Sequence, residues 1–297
     1  MARTPRLFMW AGGKGKMLAH YAPHLPERLP EGGYAEPFAG GAALFAHLRR
    51  ERGAFPATLG DTNAEVVRLY EEVRDAPARL IGNLRPYAEA WADRSPQDRK
   101  RFYYDVRAEY WGMPEGPAAT AALYFLMRTG FNGIWQTCAD SRGRYGTPVG
   151  LTDKPARVLD ETAIAAWSGY LAGARLSALP YERQPEPEDA FVFCDPPYRD
   201  SFTRYGTDFD DAAQERLVAW CRRTARERGC LVWLANRDAG DGFFERAAPD
   251  ARLLRFPVTY TAGRRKRTKD GFEAKPATEL LMIWEPGGPV QPAGARY

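Results

Sequence analysis

Several residue types are scarce in this 297-residue chain, and each scarcity argues against a class of function. Four cysteines (Cys138, Cys194, Cys221 and Cys230) lie scattered with no Cys-x-x-Cys spacing, which disfavours structural zinc and a disulfide framework. Histidine is scarcer still. His20, His24 and His47 all fall in the first fifty residues, and the His-x-Glu and Pro-Cys-x-x-Cys of a zinc deaminase are both missing. No apolar run reaches ~18 residues, so neither a signal peptide nor a membrane span is expected, and the cytoplasm is the expected compartment. Excess charge is small. A net +4 does not make a polycation, although clustered basic residues can still form a local footprint for phosphates. The remainder, 44% hydrophobic and 27% charged, is ordinary for a globular protein, long enough for one large domain or two interleaved ones.

The most informative stretch is Phe191-Val192-Phe193-Cys194-Asp195-Pro196-Pro197-Tyr198. Its four leading apolar residues predict a strand buried on both faces, as in a parallel sheet. Pro196 and Pro197 have no N–H to donate, so the ladder stops there. The Asp195 carboxylate, the Pro196 carbonyl and the Tyr198 ring are then held at the strand's carboxyl end, where open α/β sheets bind ligands. Such a set suits an exocyclic amine, a poor nucleophile because its lone pair is delocalised into the base. Two acceptors would draw the nitrogen toward tetrahedral geometry while the ring stacks on the base. The competing reading is a plain strand-to-loop turn.

Two glycine-bearing loops precede it. Trp10-Ala11-Gly12-Gly13-Lys14 sets an aromatic face and an ammonium on either side of a turn that lets the backbone approach a ligand, before a helix expected over 17–21. Taken alone, a surface turn explains it as well. Tyr34-Ala35-Glu36-Pro37-Phe38-Ala39-Gly40-Gly41 reads as a strand and glycine turn opening a helix that runs to about Arg50. The turn is not Gly-x-Gly-x-x-Gly, which disfavours a dinucleotide site. A second strand over 57–59 ends at Gly60-Asp61-Thr62-Asn63, and Asp61 lies 21 residues beyond Gly40, near the ~20 at which an acid reaches a ribose. Thr62-x-x-Glu65 predicts a capping box, with Thr62 as the cap and Asp61 left free.

From 64 to 188 the pattern is helical without strands, with helices expected over 64–74, 96–111 and 118–129. Phe102, Val106 and Tyr110 form a core-facing stripe in the second, while Arg99, Lys100, Arg101 and Arg107 either face solvent or meet phosphates. The third is apolar nearly all round and ends at Gly130. Phe131-Asn132-Gly133 then opens a polar hairpin through Gln136, Arg142 and Arg144 to Gly150, suited to probing a groove or simply a long surface loop. Beyond Tyr198 the alternation resumes, with a helix over 211–228, a strand over 230–235, a short helix near 243–247, and a closing hairpin of strands 252–260 and 278–284. Between those strands, Arg264, Arg265, Lys266, Arg267 and Lys269 suit phosphate clamping better than a merely solvated loop. The tail over 286–297 is Gly/Pro-rich and expected to be flexible.

The order Trp-Ala-Gly-Gly-Lys, Glu-Pro-Phe-Ala-Gly-Gly, Gly-Asp-Thr-Asn, helical insert with Phe-Asn-Gly, then Asp-Pro-Pro-Tyr resembles the Dam-type, alpha-class (D12) N6-adenine-specific DNA methyltransferases over about residues 8–285. The resemblance implies a Rossmann-like α/β methyltransferase sheet with an inserted, mainly helical target-recognition domain. Residues 1–63 and 189–285 would form the catalytic domain and 64–188 the DNA-binding one. It implies transfer of a methyl group from S-adenosylmethionine, without a metal, to N6 of a flipped adenine in double-stranded DNA. Asp195, Pro196, Pro197 and Tyr198 would be catalytic. Trp10, Gly12, Lys14, Phe38, Gly40, Asp61 and Asp195 would hold the cofactor, and Phe131, Asn132, Gln136, Arg142, Arg144, Arg265, Lys266 and Arg267 the DNA. A monomer is expected, with a cognate restriction endonuclease as a possible partner. Two departures stand out: Met9 replaces the usual Lys before the Trp, and Gln136 stands at or near the Arg of GATC readers. Amino-methylation of cytosine N4 or RNA, and a non-catalytic DNA-binding relative, are the alternatives. The Asp of the first motif position and the intact cofactor loops weigh against them.

Overall fold

The computed structural model describes residues 4–152, 154–199, 209–260, 266–268, 271–273 and 275–287. Arg264, Arg265 and Lys269 of the basic run, and the tail from 288 onward, lie outside the described residues. In chain order the elements are α1 (Leu18–Tyr21), β1 (Tyr34–Glu36), α2 (Ala43–Arg52), β2 (Ala57–Gly60), α3 (Ala64–Asp75), α4 (Pro77–Ala92), α5 (Pro96–Gly112) and α6 (Pro117–Thr129). There follow α7 (Glu161–Leu171), β3 (Arg175–Ser177), β4 (Phe191–Cys194), α8 (Asp211–Glu227), β5 (Leu231–Asp238), α9 (Phe243–Ala247), β6 (Arg252–Tyr260), β7 (Lys266–Thr268), β8 (Gly271–Glu273) and β9 (Lys275–Trp284).

Seven strands form one sheet in the order β3-β2-β1-β4-β5-β9-β6. The first five run parallel, and β9 lies antiparallel between β5 and β6. Alternation along the central strands explains why both faces are covered. Phe191 and Phe193 of β4, Trp233 of β5 and Leu281 of β9 enter one apolar cluster with residues of α2 to α7. Val192, Cys194, Leu234 and Met282 enter the other, beneath α8 and α9. This is the period-two logic of a strand buried on both sides. The chain leaves β1 toward β2 on one flank and leaves β4 toward β5 on the other, so the topological switch falls between β1 and β4. Ligands of open α/β sheets bind at that crevice.

Three expectations need correction. The span 64–188 is not strand-free, because β3 pairs in parallel with β2 and forms the sheet's edge. Two further helices, α4 and α7, lie in it. The α4 segment carries Pro86 inside the helix, but Leu80, Leu84 and Trp91 bury one face, and that tertiary packing outweighs the local breaker. The cap of α3 is Asn63, whose side chain accepts from the Glu65 and Val66 amides; Thr62 is exposed. The cap therefore sits one residue later than the Thr62 box predicts.

Candidate active site

The carboxyl ends of β1, β2 and β4 meet in this crevice, and hydrogen bonds tie their loops together. The Ala39 amide donates to Gly60 O at 2.7 Å. The Asp61 carboxylate accepts from Gly40 N at 2.9 Å and from Asn63 N at 2.8 Å. Asp61 is thus engaged on the loop backbone, yet a carboxylate offers about four acceptor positions. Burial pushes its pKa up, against the two backbone donors. The Tyr70 hydroxyl donates to Gly40 O at 2.6 Å from the far side. Gly40 has φ +46°, and a Cβ there would come within 2.6 Å of Trp10 Nε1. Only glycine allows Trp10 to lie against this loop. Phe38, half-buried, packs on Tyr181 with ring centroids 5.4 Å apart.

Across the crevice, Lys14 is 5% exposed. Its Nζ lies 2.6 Å from the Asp195 carboxylate and donates to Gly12 O at 3.0 Å. The ammonium is therefore the counter-ion of Asp195. It also stands over the Tyr198 ring, 4.7 Å from the centroid. Burial raises the pKa of Asp195 to about 6; Lys14 opposes the rise and the Glu279 carboxylate adds to it. Glu36, at the end of β1, is buried and accepts from the Tyr34 hydroxyl at 2.9 Å. Desolvation holds its pKa well above the usual carboxylate range. On the opposite face, Gln214 Nε2 donates to Pro197 O at 2.9 Å, and Asn236 Nδ2 donates to Gln214 Oε1 at 3.0 Å. The Asn236 side-chain oxygen accepts the Arg199 amide at 3.2 Å. These buried amides fasten the loop after β4. Sequence reading missed them and Glu279, although an acid directly before the apolar run Leu280–Trp284 was a signal.

The Phe131-Asn132-Gly133 turn sits beside this site. Ala11 N donates to Gly133 O at 2.8 Å, and Gly133 has no room for a Cβ against the Met9 and Trp10 backbone. Phe131 is 47% exposed, and Asn132 adopts a left-handed φ of +53°. The segment is a closed loop rather than a regular hairpin, with an isolated bridge between Gly130 and Val149 at its base and Gly146 N donating to Gln136 O at 2.7 Å. Arg142 is exposed at the loop's far end. Arg144 has partners inside the chain. It donates to Glu65 at 2.9 Å, to Met113 O at 2.9 Å and to Tyr110 O, and it stacks 3.8 Å from the Tyr110 ring centroid. With its guanidinium engaged by α3 and the end of α5, it braces the loop from within the chain. Arg107 is committed too, donating to Gly146 O and Thr147 O, and Arg99 is buried over Trp91. Lys266 and Arg267 lie on β7, paired with β8.

The donor set fits S-adenosylmethionine. An acid ends β2, an indole backs the glycine loop, and that loop carries no basic side chain for a phosphate. Among the described residues no group of three His, Cys, Asp or Glu side chains is placed to hold a metal ion, and no helix is long and apolar enough to cross a membrane.

A Rossmann-like sheet with an Asp-Pro-Pro-Tyr loop at its switch point defines an amino-group methyltransferase scaffold, and comparison with known proteins agrees. Residues 10–255 match the D12 class N6 adenine-specific DNA methyltransferase family, to which this chain belongs. The type II methyltransferase M.MjaIII of Methanocaldococcus jannaschii is 30% identical over 241 residues, 76% of this chain and 82% of the relative. M1.LlaDCHI of Lactococcus lactis subsp. cremoris is 26% identical, covering 88% and 90%. The retron Ec67 DNA adenine methylase of Escherichia coli is 25% identical, covering 93% and 90%. The protein is accordingly an adenine-specific DNA methyltransferase.

Proposed function

We propose that this enzyme methylates N6 of an adenine rotated out of double-stranded DNA, with S-adenosylmethionine as donor. The observation that carries the reading is the convergence of Asp195, Pro196 and Tyr198 with the two glycine loops at one switch point. Extrusion is needed because N6 is inaccessible inside the stack, and it costs a few kcal/mol. The N6 hydrogens are accepted by the Asp195 carboxylate and the Pro196 carbonyl. The adenine ring stacks on the face of Tyr198 turned away from Lys14. Trp10, Gly12, Phe38, Gly40 and Asp61 hold the cofactor, which supplies an electrophilic methyl group when bound. Lys14 acts one step back, holding Asp195 in place and ionised. No covalent bond to the enzyme forms; positioning and preorganised acceptors supply most of the acceleration.

Target reading is assigned to the loop from Phe131 to Gly150, carried on the inserted helices. Phe131 and Asn132 are placed beside the extruded base, and Gln136 and Arg142 are the candidates for base or phosphate contact. Lys266 and Arg267 are proposed phosphate contacts. The type II names of several relatives make a cognate restriction endonuclease a reasonable partner. Incubation with labelled S-adenosylmethionine and plasmid DNA, followed by modification-sensitive sequencing, tests the reading. Label on N6 of adenine at a defined sequence is expected. Label on cytosine, or none in DNA, refutes it.

A further inference from the structure

We propose that Glu279 is a positioning residue of the active site, which sets the Tyr198 ring and steadies Lys14 through a carboxylate buried in the sheet. The inference rests on the roles given above to Asp195 and Tyr198.

Glu279 is 1% exposed in the centre of β9, opposite Arg237 of β5 and Phe256 of β6. Its neighbours along the strand, from Leu280 to Trp284, are all apolar and buried. Desolvating a carboxylate costs several kcal/mol, and an apolar residue of similar size would stabilise such a sheet at least as well. The acid therefore calls for a reason other than packing. Its contacts supply one. Glu279 Oε1 accepts the Tyr198 hydroxyl at 2.6 Å and the Tyr21 hydroxyl at 2.9 Å, and Lys14 Nζ lies 3.9 Å away. Tyr198 stands in the irregular loop after β4, where no ladder fixes its side chain. Glu279 anchors the hydroxyl end of that ring to the rigid sheet. Lys14, shared with Asp195, is then placed between two carboxylates. A stacking platform held this way is oriented before the base arrives, which spares ordering at the moment of reaction.

The same geometry makes Glu279 an electrostatic neighbour of Asp195. The groups facing Asp195 are Lys14 from the N-terminal turn, Glu279 from β9, Tyr198 from its own loop, and Glu36 and Tyr34 from β1. Cys194, next along its own strand, is buried with its thiol pKa raised. Lys14 favours the ionised form of Asp195, and Glu279 opposes it. Neutralising Glu279 without removing its acceptor should therefore let Asp195 ionise at lower pH.

The test uses the full chain with S-adenosylmethionine and a duplex carrying the mapped target. Glu279→Leu removes the anchor and should lower kcat at least tenfold, while the Kd for S-adenosylmethionine stays within threefold, which also reports an intact fold. Glu279→Gln keeps an acceptor for both tyrosines. It should retain most of kcat and move the ascending limb of the pH–kcat/KM profile down by half a unit or more. The proposal is overturned if Glu279→Leu binds the cofactor and keeps kcat within twofold. It is equally overturned if the Glu279→Gln limb does not move, a result that remains readable should the leucine variant fail to fold. Asp195→Ala is run in parallel. If that variant stays active, the underlying reaction assignment fails. If it is dead while both Glu279 variants behave as the parent, only the positioning role fails.

Discussion

Replacing Asp61 with alanine removes the acceptor of two backbone donors at once. The carboxylate holds Gly40 N at 2.9 Å and Asn63 N at 2.8 Å, so it ties the glycine loop after β1 to the start of α3. A hydrogen bond to a charged acceptor contributes about 1.5–3 kcal/mol, and a donor left without a partner costs about 1–3 kcal/mol where water cannot replace it. Gly40 carries the loop's left-handed turn under Trp10, so the slack falls where the cofactor is proposed to lie. We expect S-adenosylmethionine to bind about 1–3 kcal/mol more weakly, roughly 5- to 150-fold in Kd. Asp61→Asn should recover at most half of this, since its one oxygen serves one donor while its NH2 faces the other. Calorimetric titration with the cofactor measures the effect, and thermal melting without cofactor shows how much is loop stability. An affinity within twofold of the parent and an unchanged Tm would show that Asp61 neither ties the loops nor meets the ligand.

Asp195→Ala should lower kcat by about 10²–10³, or ~3 kcal/mol, the usual loss of one preorganised group at a reacting centre; single-turnover methylation checks it. Because Asp195 must be ionised to accept N6–H and its pKa is raised to about 6, kcat/KM should climb with pH to a plateau above that value, and a profile already flat from pH 5 upward refutes the assignment. The same shift acts on stability in the opposite sense: the folded form holds a proton that the unfolded chain releases, so this group's contribution falls as pH rises from about 4 to 6. Arg144→Leu should destabilise the fold by roughly 2–3 kcal/mol, less than a fully buried pair because Arg144 and Glu65 remain 17% and 14% exposed, while leaving the methylated sequence unchanged. An altered target site in that variant restores Arg144 to the DNA interface. Gln136→Ala should relax discrimination at one base by ~1–3 kcal/mol, and the parent should mark adenines outside GATC; sequencing that finds GATC alone, with or without Gln136, removes it as a reader.

What could be read from the chain, and what could not, divides along a physical line. Backbone features written in neighbouring residues were legible: the buried strand Phe191–Cys194, the proline stop after Asp195, and the closing strand pair, whose first member is Arg252–Tyr260. Elements that owe their existence to packing were not. The strand β3 is only three residues long and half-exposed, and α4 holds together across Pro86 through Leu80, Leu84 and Trp91. Charges were the least legible, because a side chain's sign is local while its partner is not. Arg144 has its partner in Glu65, 79 residues earlier, which no local reading of the loop reveals. Lys14 carries a charge whose partner, Asp195, lies 181 residues later in the chain and 2.6 Å away in the fold. In each case the fold spends the charge before any substrate arrives. It follows that the polar residues still open to DNA are best sought where no internal countercharge is folded against them. Among the loop residues described, that criterion favours Arg142, exposed at the far end, over Arg144, two positions on. Charge reversal at these two sites should therefore separate cleanly: Arg142→Glu should weaken DNA binding at constant Tm, and Arg144→Glu should lower Tm first. The opposite pattern would mean that the loop rearranges on DNA enough to release Arg144 from Glu65.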